Sequence, residues 1–128
     1  MILASGTLVA KCGEKEIIMS QKIGLEEVPS HEIVPGYSGQ FIHSKTMTVA
    51  YWDIKAGHTL PTHSHEHEQI VNMLEGEFEL TVDGTPLRLV PGDVVVLHSN
   101  VEHSGRAITD SRILDVFQPI RDDYVFED

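Results

Sequence analysis

Short apolar segments separated by turn-forming pairs recur along this chain from residue 46 to residue 117. The segments are rich in Val, Ile, Thr, Tyr and Phe, which is typical of strands, and none shows the longer period of an amphipathic helix. The strongest strand candidates are Thr46–Ile54, Ile70–Leu74, Glu77–Val82, Pro86–Leu89, Asp93–Leu97 and Arg112–Phe117. The pattern predicts an all-β sandwich or barrel.

The turn candidates are Lys55–Gly57, Glu75–Gly76, Asp83–Gly84 and Pro91–Gly92. Asp83–Gly84 is the clearest, because a two-residue Asp-Gly loop suits a type I′ hairpin. At 128 residues the chain is long enough for one domain and too short for two. We expect residues 1–45 to supply edge strands or dimer contacts, residues 46–120 to form the barrel, and residues 121–128 to form a C-terminal tail.

The net charge of the chain indicates which kinds of partner it is not expected to bind through a broad surface. Nine Lys and Arg against twenty Asp and Glu leave a net charge of −11, which predicts no binding to nucleic acid or to anionic lipid. No stretch approaches the roughly 20 apolar residues that cross a bilayer, so no membrane span is expected. An anionic small molecule would need a locally positive site, which a metal ion would supply.

The single cysteine, Cys12, allows no internal disulfide, and we interpret it as an inert or packed thiol. The apolar opening MILASGTLVAK has no basic residue ahead of it, so it does not resemble a signal peptide. Both observations favour a reducing, cytoplasmic location.

Histidines concentrate in the stretch TLPTHSHEHEQ at residues 59–69. His63 and His65 are two residues apart, so on a strand both imidazoles would point to the same face. Gln69 follows four residues later, and His103 lies beyond the Pro91–Gly92 turn. This arrangement predicts a divalent metal site.

The spacing of these residues resembles the two cupin motifs. Gly57-x5-His63-x-His65-x3-Gln69-x6-Gly76 is similar to the first motif, with glutamine in place of the usual glutamate. The run Pro91–His103 resembles the second motif, with departures at His98, Asn100 and, just after it, Ala107. The resemblance implies a cupin jelly-roll β-barrel that holds one divalent ion through His63, His65, Gln69 and His103.

The same comparison with the motif shows which other polar side chains of the stretch fall outside the ligand positions. Glu68 falls one residue short of the ligand position, and Glu66 and His67 fall in a bend, where His67 either supports the ligands or is solvated. His98 could line the rim of the pocket. The remaining histidines have no partner pattern and are interpreted as ordinary surface or core residues: His31, His43 and His58.

Gln69 changes the charge of the predicted site, because its amide is neutral where a glutamate would be anionic. Three imidazoles and an amide leave a divalent ion at +2, which favours anionic ligands and Lewis-acid chemistry. Dioxygenase-type cupins usually keep the glutamate, so the resemblance makes oxygen chemistry less expected without excluding it. Nickel or zinc is the favoured ion, and iron or manganese also suits an imidazole-rich site.

Two further polar residues, Asp115 and Arg121, lie near the end of the sequence. Asp115 interrupts an apolar strand in phase with Ile113 and Phe117, and a carboxylate facing a barrel interior is costly unless it has a partner or a task. The alternative is that this phase faces water. Arg121 follows Pro119 and lies either at the rim or on the surface.

The sequence HSHEHEQ together with the pattern Asp-x-Phe-x-Pro-x-Arg resembles the small cupins of the KdgF type, which act in pectin degradation. The resemblance implies opening of the ring of 4,5-unsaturated uronate monosaccharides. It makes Asp115 the acid/base group, Phe117 a residue that shapes the pocket, and Arg121 the partner of the substrate carboxylate. An anionic sugar acid is then the expected small-molecule partner.

Two other functions are compatible with the same three histidines. One is a metal-dependent dioxygenase acting on an enol, diketone or flavonol, and the other is a non-catalytic module that binds a sugar acid or a metal. A homodimer is expected by analogy with other cupins.

Overall fold

The computed structural model describes residues 2–3 and 6–127. Strands make up nearly all of its regular structure, and two short 3₁₀ helices span Leu25–Glu27 and Asp122–Tyr124. The strands are β1 (Ile2–Leu3), β2 (Thr7–Cys12), β3 (Lys15–Gln21), β4 (Ser30–Val34), β5 (Tyr37–His43), β6 (Thr48–Ile54), β7 (Thr59–His63), β8 (Glu68–Glu75), β9 (Phe78–Val82), β10 (Thr85–Leu89), β11 (Val94–Leu97), β12 (His103–Ala107) and β13 (Ser111–Gln118).

Two sheets enclose the core. One has four strands in the order β10-β9-β12-β7, and the other has six in the order β11-β8-β13-β6-β5-β4. All pairings are antiparallel, and strands distant in sequence are neighbours in both sheets. This arrangement confirms the all-β jelly-roll barrel predicted from the sequence.

Turn chemistry fixes the register of the hairpins. Asp83 and Gly84 have φ values of 46° and 80°, the conformation of a type I′ turn, and Val82 pairs directly with Thr85 across it. Gly76 ends β8 at a φ of 84°, and a Cβ on it would collide with the carbonyl oxygen of Asp110. Only glycine therefore fits at that corner.

Alternation along the strands builds the core. In β13, every second residue from Ser111 to Phe117 is buried, and β6 shows the same period from Thr48 to Ile54. The inward side chains of the two sheets meet in one apolar cluster, which includes Phe41, Ala50, Trp52, Val71, Met73, Phe78, Leu80, Leu97, Ile113 and Phe117. Burial of these side chains supplies the main driving force for folding.

The N-terminal third divides between two sheets. β4 and β5 extend the six-stranded sheet, whereas β1, β2 and β3 form a separate three-stranded sheet. β3 is exposed along its whole length, and Cys12 at the end of β2 is exposed and unpaired. No helix in the described part of the chain is long and apolar enough to cross a membrane.

Candidate metal centre

Three imidazoles converge inside the barrel. His63 is the last residue of β7, and His103 is the first residue of β12. The two histidines lie opposite each other across these paired strands, and His65 lies in the loop after β7. One ring nitrogen of each lies within 4.8 Å of the others. The prediction that His63 and His65 share one strand is wrong, because β7 ends at His63. The loop nevertheless turns His65 toward the other two rings.

Backbone carbonyls fix the tautomer of each ring. The Nδ1 atoms of His63, His65 and His103 lie 2.8, 3.0 and 2.9 Å from the carbonyl oxygens of Pro61, His67 and Val101, respectively. A carbonyl oxygen can only accept, so each Nδ1 carries the proton and donates it. Each Nε2 then presents a lone pair to the interior, which is the arrangement found in metal-binding histidines.

The surroundings of His65 and His103 favour the neutral form of their rings. Burial, helped by the charges of Arg121 and His103, lowers the pKa of His65 to about 4. Burial also lowers the pKa of His103. Neutral imidazoles are the form that binds a metal ion, so the site is ready to accept one near neutral pH.

Gln69, at 7% exposure, supplies a fourth candidate donor. Its Oε1 atom lies 3.1 Å from Nε2 of His65, and both atoms are acceptors in the tautomer set by the backbone. The buried Nε2 of His103 has no hydrogen-bond partner among the described residues. A cation between these lone pairs would satisfy all of them, so the residues fit a divalent metal ion of the kind that imidazoles bind.

Asp115 lies beside this cluster and is 7% exposed. Burial raises the pKa of its carboxyl to about 7. Hydrogen bonds from the side chains of Gln69 and Trp52, and the positive charge of Arg121, lower this pKa but do not offset the effect of burial. Its Oδ1 atom has no hydrogen-bond partner among the described residues. A carboxyl group with these properties can both take up and release a proton near neutral pH.

Arg121 is buried, at 8% exposure, and lines the same cavity. Its guanidinium carbon lies 4.7 Å from the ring centroid of Phe117 and 4.2 Å from that of Tyr124. Its Nε and Nη2 atoms donate to the carboxylate of Asp123 at 3.0 and 2.8 Å. Tyr124 is also hydrogen-bonded to the guanidinium, and the hydrogens that neither neighbour uses can donate to another partner.

Several hydrogen bonds hold the chain after β13 across the end of the barrel. The backbone N–H of Arg121 donates to Oγ1 of Thr48 at 2.8 Å, and Nε2 of His43 donates to the carbonyl of Tyr124 at 3.0 Å. Nε2 of His67 donates to the carbonyl of Ile120 at 3.1 Å. His67 thus supports the site from outside the group of three, and His43 has a structural partner that the sequence did not indicate.

The structure separates the remaining candidates from the cavity. His98 is exposed and lies 3.6 Å from Glu68, so the prediction that it lines the rim is wrong. Glu66 is exposed as well. Sequence reasoning missed four aromatic residues that line the cavity: Tyr37, Trp52, Phe78 and Tyr124. The sequence carried a signal for Trp52, because it lies two residues from both Ala50 and Ile54 and therefore shares their face of the strand.

Comparison with known proteins defines the class. The family described as "Cupin domain" matches residues 50–117, more than half of the chain, and the chain belongs to this family. Salicylate 1,2-dioxygenase from Pseudaminobacter salicylatoxidans is 20% identical, with a TM-score of 0.66, 73% of this chain covered and 29% of that chain. At that identity the likeness shows the fold alone.

Within the family the chain is KdgF-like. KdgF from Halomonas sp. is 30% identical, with a TM-score of 0.74, and the match covers 78% of this chain and 94% of that one. An RmlC-like cupin from Shewanella frigidimarina NCIMB 400 is 28% identical, with a TM-score of 0.75 and coverages of 78% and 91%. No curated protein sequence matches the chain.

Proposed function

We propose that this cupin converts 4,5-unsaturated uronate monosaccharides to linear keto-deoxyuronates. The observation that carries the proposal is the buried carboxyl of Asp115, placed beside the three histidines and Gln69 with a pKa of about 7. Among the described residues that line the cavity, Asp115 is the one carboxylic acid. The likeness to KdgF supports the same assignment.

The reaction needs a group that takes one proton and returns another. An unsaturated uronate is a cyclic enol ether with a hemiacetal at C1. A base removes the proton from the C1 hydroxyl and the bond between C1 and the ring oxygen breaks, which gives an aldehyde at C1 and an enolate at C5. Return of one proton to C4 then converts the enolate to a ketone. Atoms and electrons balance, since the product is an isomer of the substrate.

Asp115 is the proposed acid/base group, because a carboxyl with a pKa near the working pH transfers protons in both directions. Arg121 would bind the substrate carboxylate through the guanidinium hydrogens that Asp123 does not use. The Phe117 ring lies 4.7 Å from the guanidinium carbon and makes an edge contact with His65, so it would shape the wall of the pocket.

His63, His65, Gln69 and His103 would hold the metal ion, which we propose to be nickel or zinc. A divalent ion bound there supplies Lewis acidity and a local positive charge. Gln69 adds no negative charge to this set, so the site stays attractive to an anionic sugar acid. The substrate loses no electrons, so iron or manganese would serve without any redox role.

The test is the loss of the alkene absorbance of lyase-generated unsaturated monouronates in the presence of the metal-loaded protein. We expect a rate well above that of the spontaneous reaction, with no oxygen consumed. No acceleration over the spontaneous rate would reject the proposal. Oxygen uptake that depends on an enol or diketone substrate would instead assign a dioxygenase.

We further propose that the protein is a cytoplasmic homodimer. The outward face of the six-stranded sheet supports the dimer, because it carries Val94, Val96 and Ile70 at 58%, 53% and 40% exposure. Val96 pairs with Ile70 across β11 and β8, so the side chains form one apolar patch that a second copy would cover. The unpaired Cys12 supports the reducing compartment.

A further inference from the structure

Tyr37 carries a polar atom in the cavity that the proposed reaction does not use. The residue is 4% exposed and lines the same cavity as the three histidines and Asp115. Its hydroxyl is buried and has no hydrogen-bond partner among the residues that the structure describes. A buried phenol oxygen is almost always hydrogen-bonded, so this group calls for an additional partner.

The register places Tyr37 far from Arg121. Tyr37 lies opposite Ile54 on β6, whereas Asp115 lies opposite Ala50, four residues and about 13 Å along the same strand. Arg121 lies beyond Thr48, which is still further in that direction. The backbones of Tyr37 and Arg121 therefore lie on opposite sides of Asp115 along the six-stranded sheet, and both side chains line the cavity.

The Tyr37 side chain reaches across the barrel. A Cβ built on Gly105, in the four-stranded sheet, would lie 3.5 Å from the Tyr37 hydroxyl, although Tyr37 itself belongs to the six-stranded sheet. The hydroxyl thus lies beside the wall of the cavity that the four-stranded sheet forms. Burial and the charge of Asp115 raise the pKa of the phenol, so it keeps its proton and acts as a donor.

The side chains recorded next to the Tyr37 ring are aromatic. The ring stands edge-on to Trp52 with centroids 6.3 Å apart, and the neighbouring wall is the ring of Phe78, which a Cβ on Gly105 would strike. Aromatic edges and faces do not replace an oxygen acceptor. An oxygen atom of a bound molecule is the partner that this position can take.

We infer that Tyr37 is a binding residue for a ligand hydroxyl, so that the cavity selects sugar acids bearing an oxygen opposite their carboxylate. This inference rests on the proposed function for the orientation of the ligand. In a six-membered uronate the carboxylate is on C5, and the ring carbon across from it is C2. With the carboxylate on Arg121, the 2-hydroxyl points toward Tyr37.

Selection would follow from the cost of leaving the phenol unpaired. A site with a buried donor rejects an analogue that lacks the matching oxygen, because the donor then loses its partner. Tyr37→Phe removes only the phenol oxygen and should abolish this discrimination. Tyr51→Phe is the matched control, because Tyr51 neighbours Trp52 in β6 but faces outward, under Arg112.

The experiment is calorimetric titration of the metal-loaded protein with D-glucuronate and with its 2-deoxy analogue, neither of which carries the alkene of the substrate. We expect the wild type and the Tyr51→Phe variant to bind glucuronate at least about tenfold more tightly than the analogue. Tyr37→Phe should bind both ligands equally, with unchanged metal content. Thermal unfolding of each variant checks that the fold is retained.

The inference is overturned if Tyr37→Phe keeps the preference for the hydroxylated ligand, or if the wild type binds neither ligand or both equally. Because neither ligand reacts, binding is measured independently of turnover. A wild type that shows the preference but does not accelerate alkene loss supports the role of Tyr37 and rejects only the proposed reaction.

Discussion

The side-chain oxygen of Gln69 lies 3.1 Å from Nε2 of His65. The amide of the same glutamine donates to Asp115, so one side chain links the candidate metal ligands to the candidate acid/base group. A neutral amide can serve both neighbours at once, with its oxygen toward a cation and its nitrogen toward a carboxylate. A glutamate could serve only the first.

Gln69→Glu should therefore tighten metal binding and slow turnover. An added charge about 4 Å from a cation is worth about 4 kcal/mol at an effective dielectric of 20, more than the 1.4 kcal/mol of a tenfold change in affinity. The new carboxylate would also remove a hydrogen bond from Asp115 and raise its pKa further. Chelator competition and alkene loss measure the two effects.

Gln118→Glu is the matched control for that variant, because Gln118 is exposed at the end of β13. It should change neither metal affinity nor rate. If Gln69→Glu turns over as fast as the wild type, the neutral charge of the fourth donor is irrelevant to the reaction.

Asp115→Asn should keep the fold and the metal but lose about 10²–10⁴-fold in rate, the usual contribution of a general acid or base. The amide has the same shape and can still fill the space beside Trp52 and Gln69. Rate is followed by alkene loss and metal content by atomic absorption. Asp53→Asn, on the outward face beside Arg112, is the control and should retain full activity. Normal turnover by Asp115→Asn would remove this residue from the mechanism.

Metal binding should stabilise the fold through the three histidines. A ligand that binds only the folded state at 100 times its Kd adds about 2.7 kcal/mol to the free energy of unfolding. We expect Ni²⁺ or Zn²⁺ to raise the denaturation midpoint of the metal-free protein, and His103→Ala to abolish the shift. His98→Ala, exposed and outside the cavity, should leave it intact. An equal shift in His103→Ala would place the ion elsewhere.

Local rules made much of the fold and part of the site predictable. The alternation in β13 follows from a strand period of two, so Asp115 could be placed on the same face as Ile113 and Phe117 before any pairing was known, although water remained an alternative environment for that face. The Asp83–Gly84 turn is equally local, because residue type alone favours its positive φ values. Motif spacing then identified the barrel family.

The rest depends on contacts between distant segments. Tyr37 reaches the cavity only because β5 pairs with β6, and its own region has weak periodicity. The bond from Arg121 to Asp123 depends on a one-turn 3₁₀ helix, which carries little sequence signal. His65 leaves its predicted strand because β7 stops at His63, and strand ends are set by the partner strand as much as by residue type.

Self-association should depend on the outward patch of the six-stranded sheet. Val96→Lys places a charge in the centre of the apolar patch formed with Val94 and Ile70, so it should convert a dimer to a monomer. Sedimentation velocity measures the change. Ile18→Lys tests the alternative that the exposed strand β3 makes the contact, and we expect it to leave the dimer intact. A monomeric Ile18→Lys variant with a dimeric Val96→Lys variant would assign the interface to the N-terminal sheet.

Arg121→Lys should weaken substrate binding while sparing the metal. Lysine keeps the charge but cannot bind Asp123 and a substrate carboxylate through two bidentate faces at once. Loss of a hydrogen bond to a charged group costs about 1.5–3 kcal/mol, which is roughly ten- to hundredfold in KM. Arg112→Lys, which pairs with Asp53 on the outward face, is the control and should leave KM unchanged. For the methyl ester of the substrate, which lacks the negative charge, the wild type and Arg121→Lys should have similar KM values. An unchanged KM for the free acid would show that Arg121 only holds the chain after β13 in place.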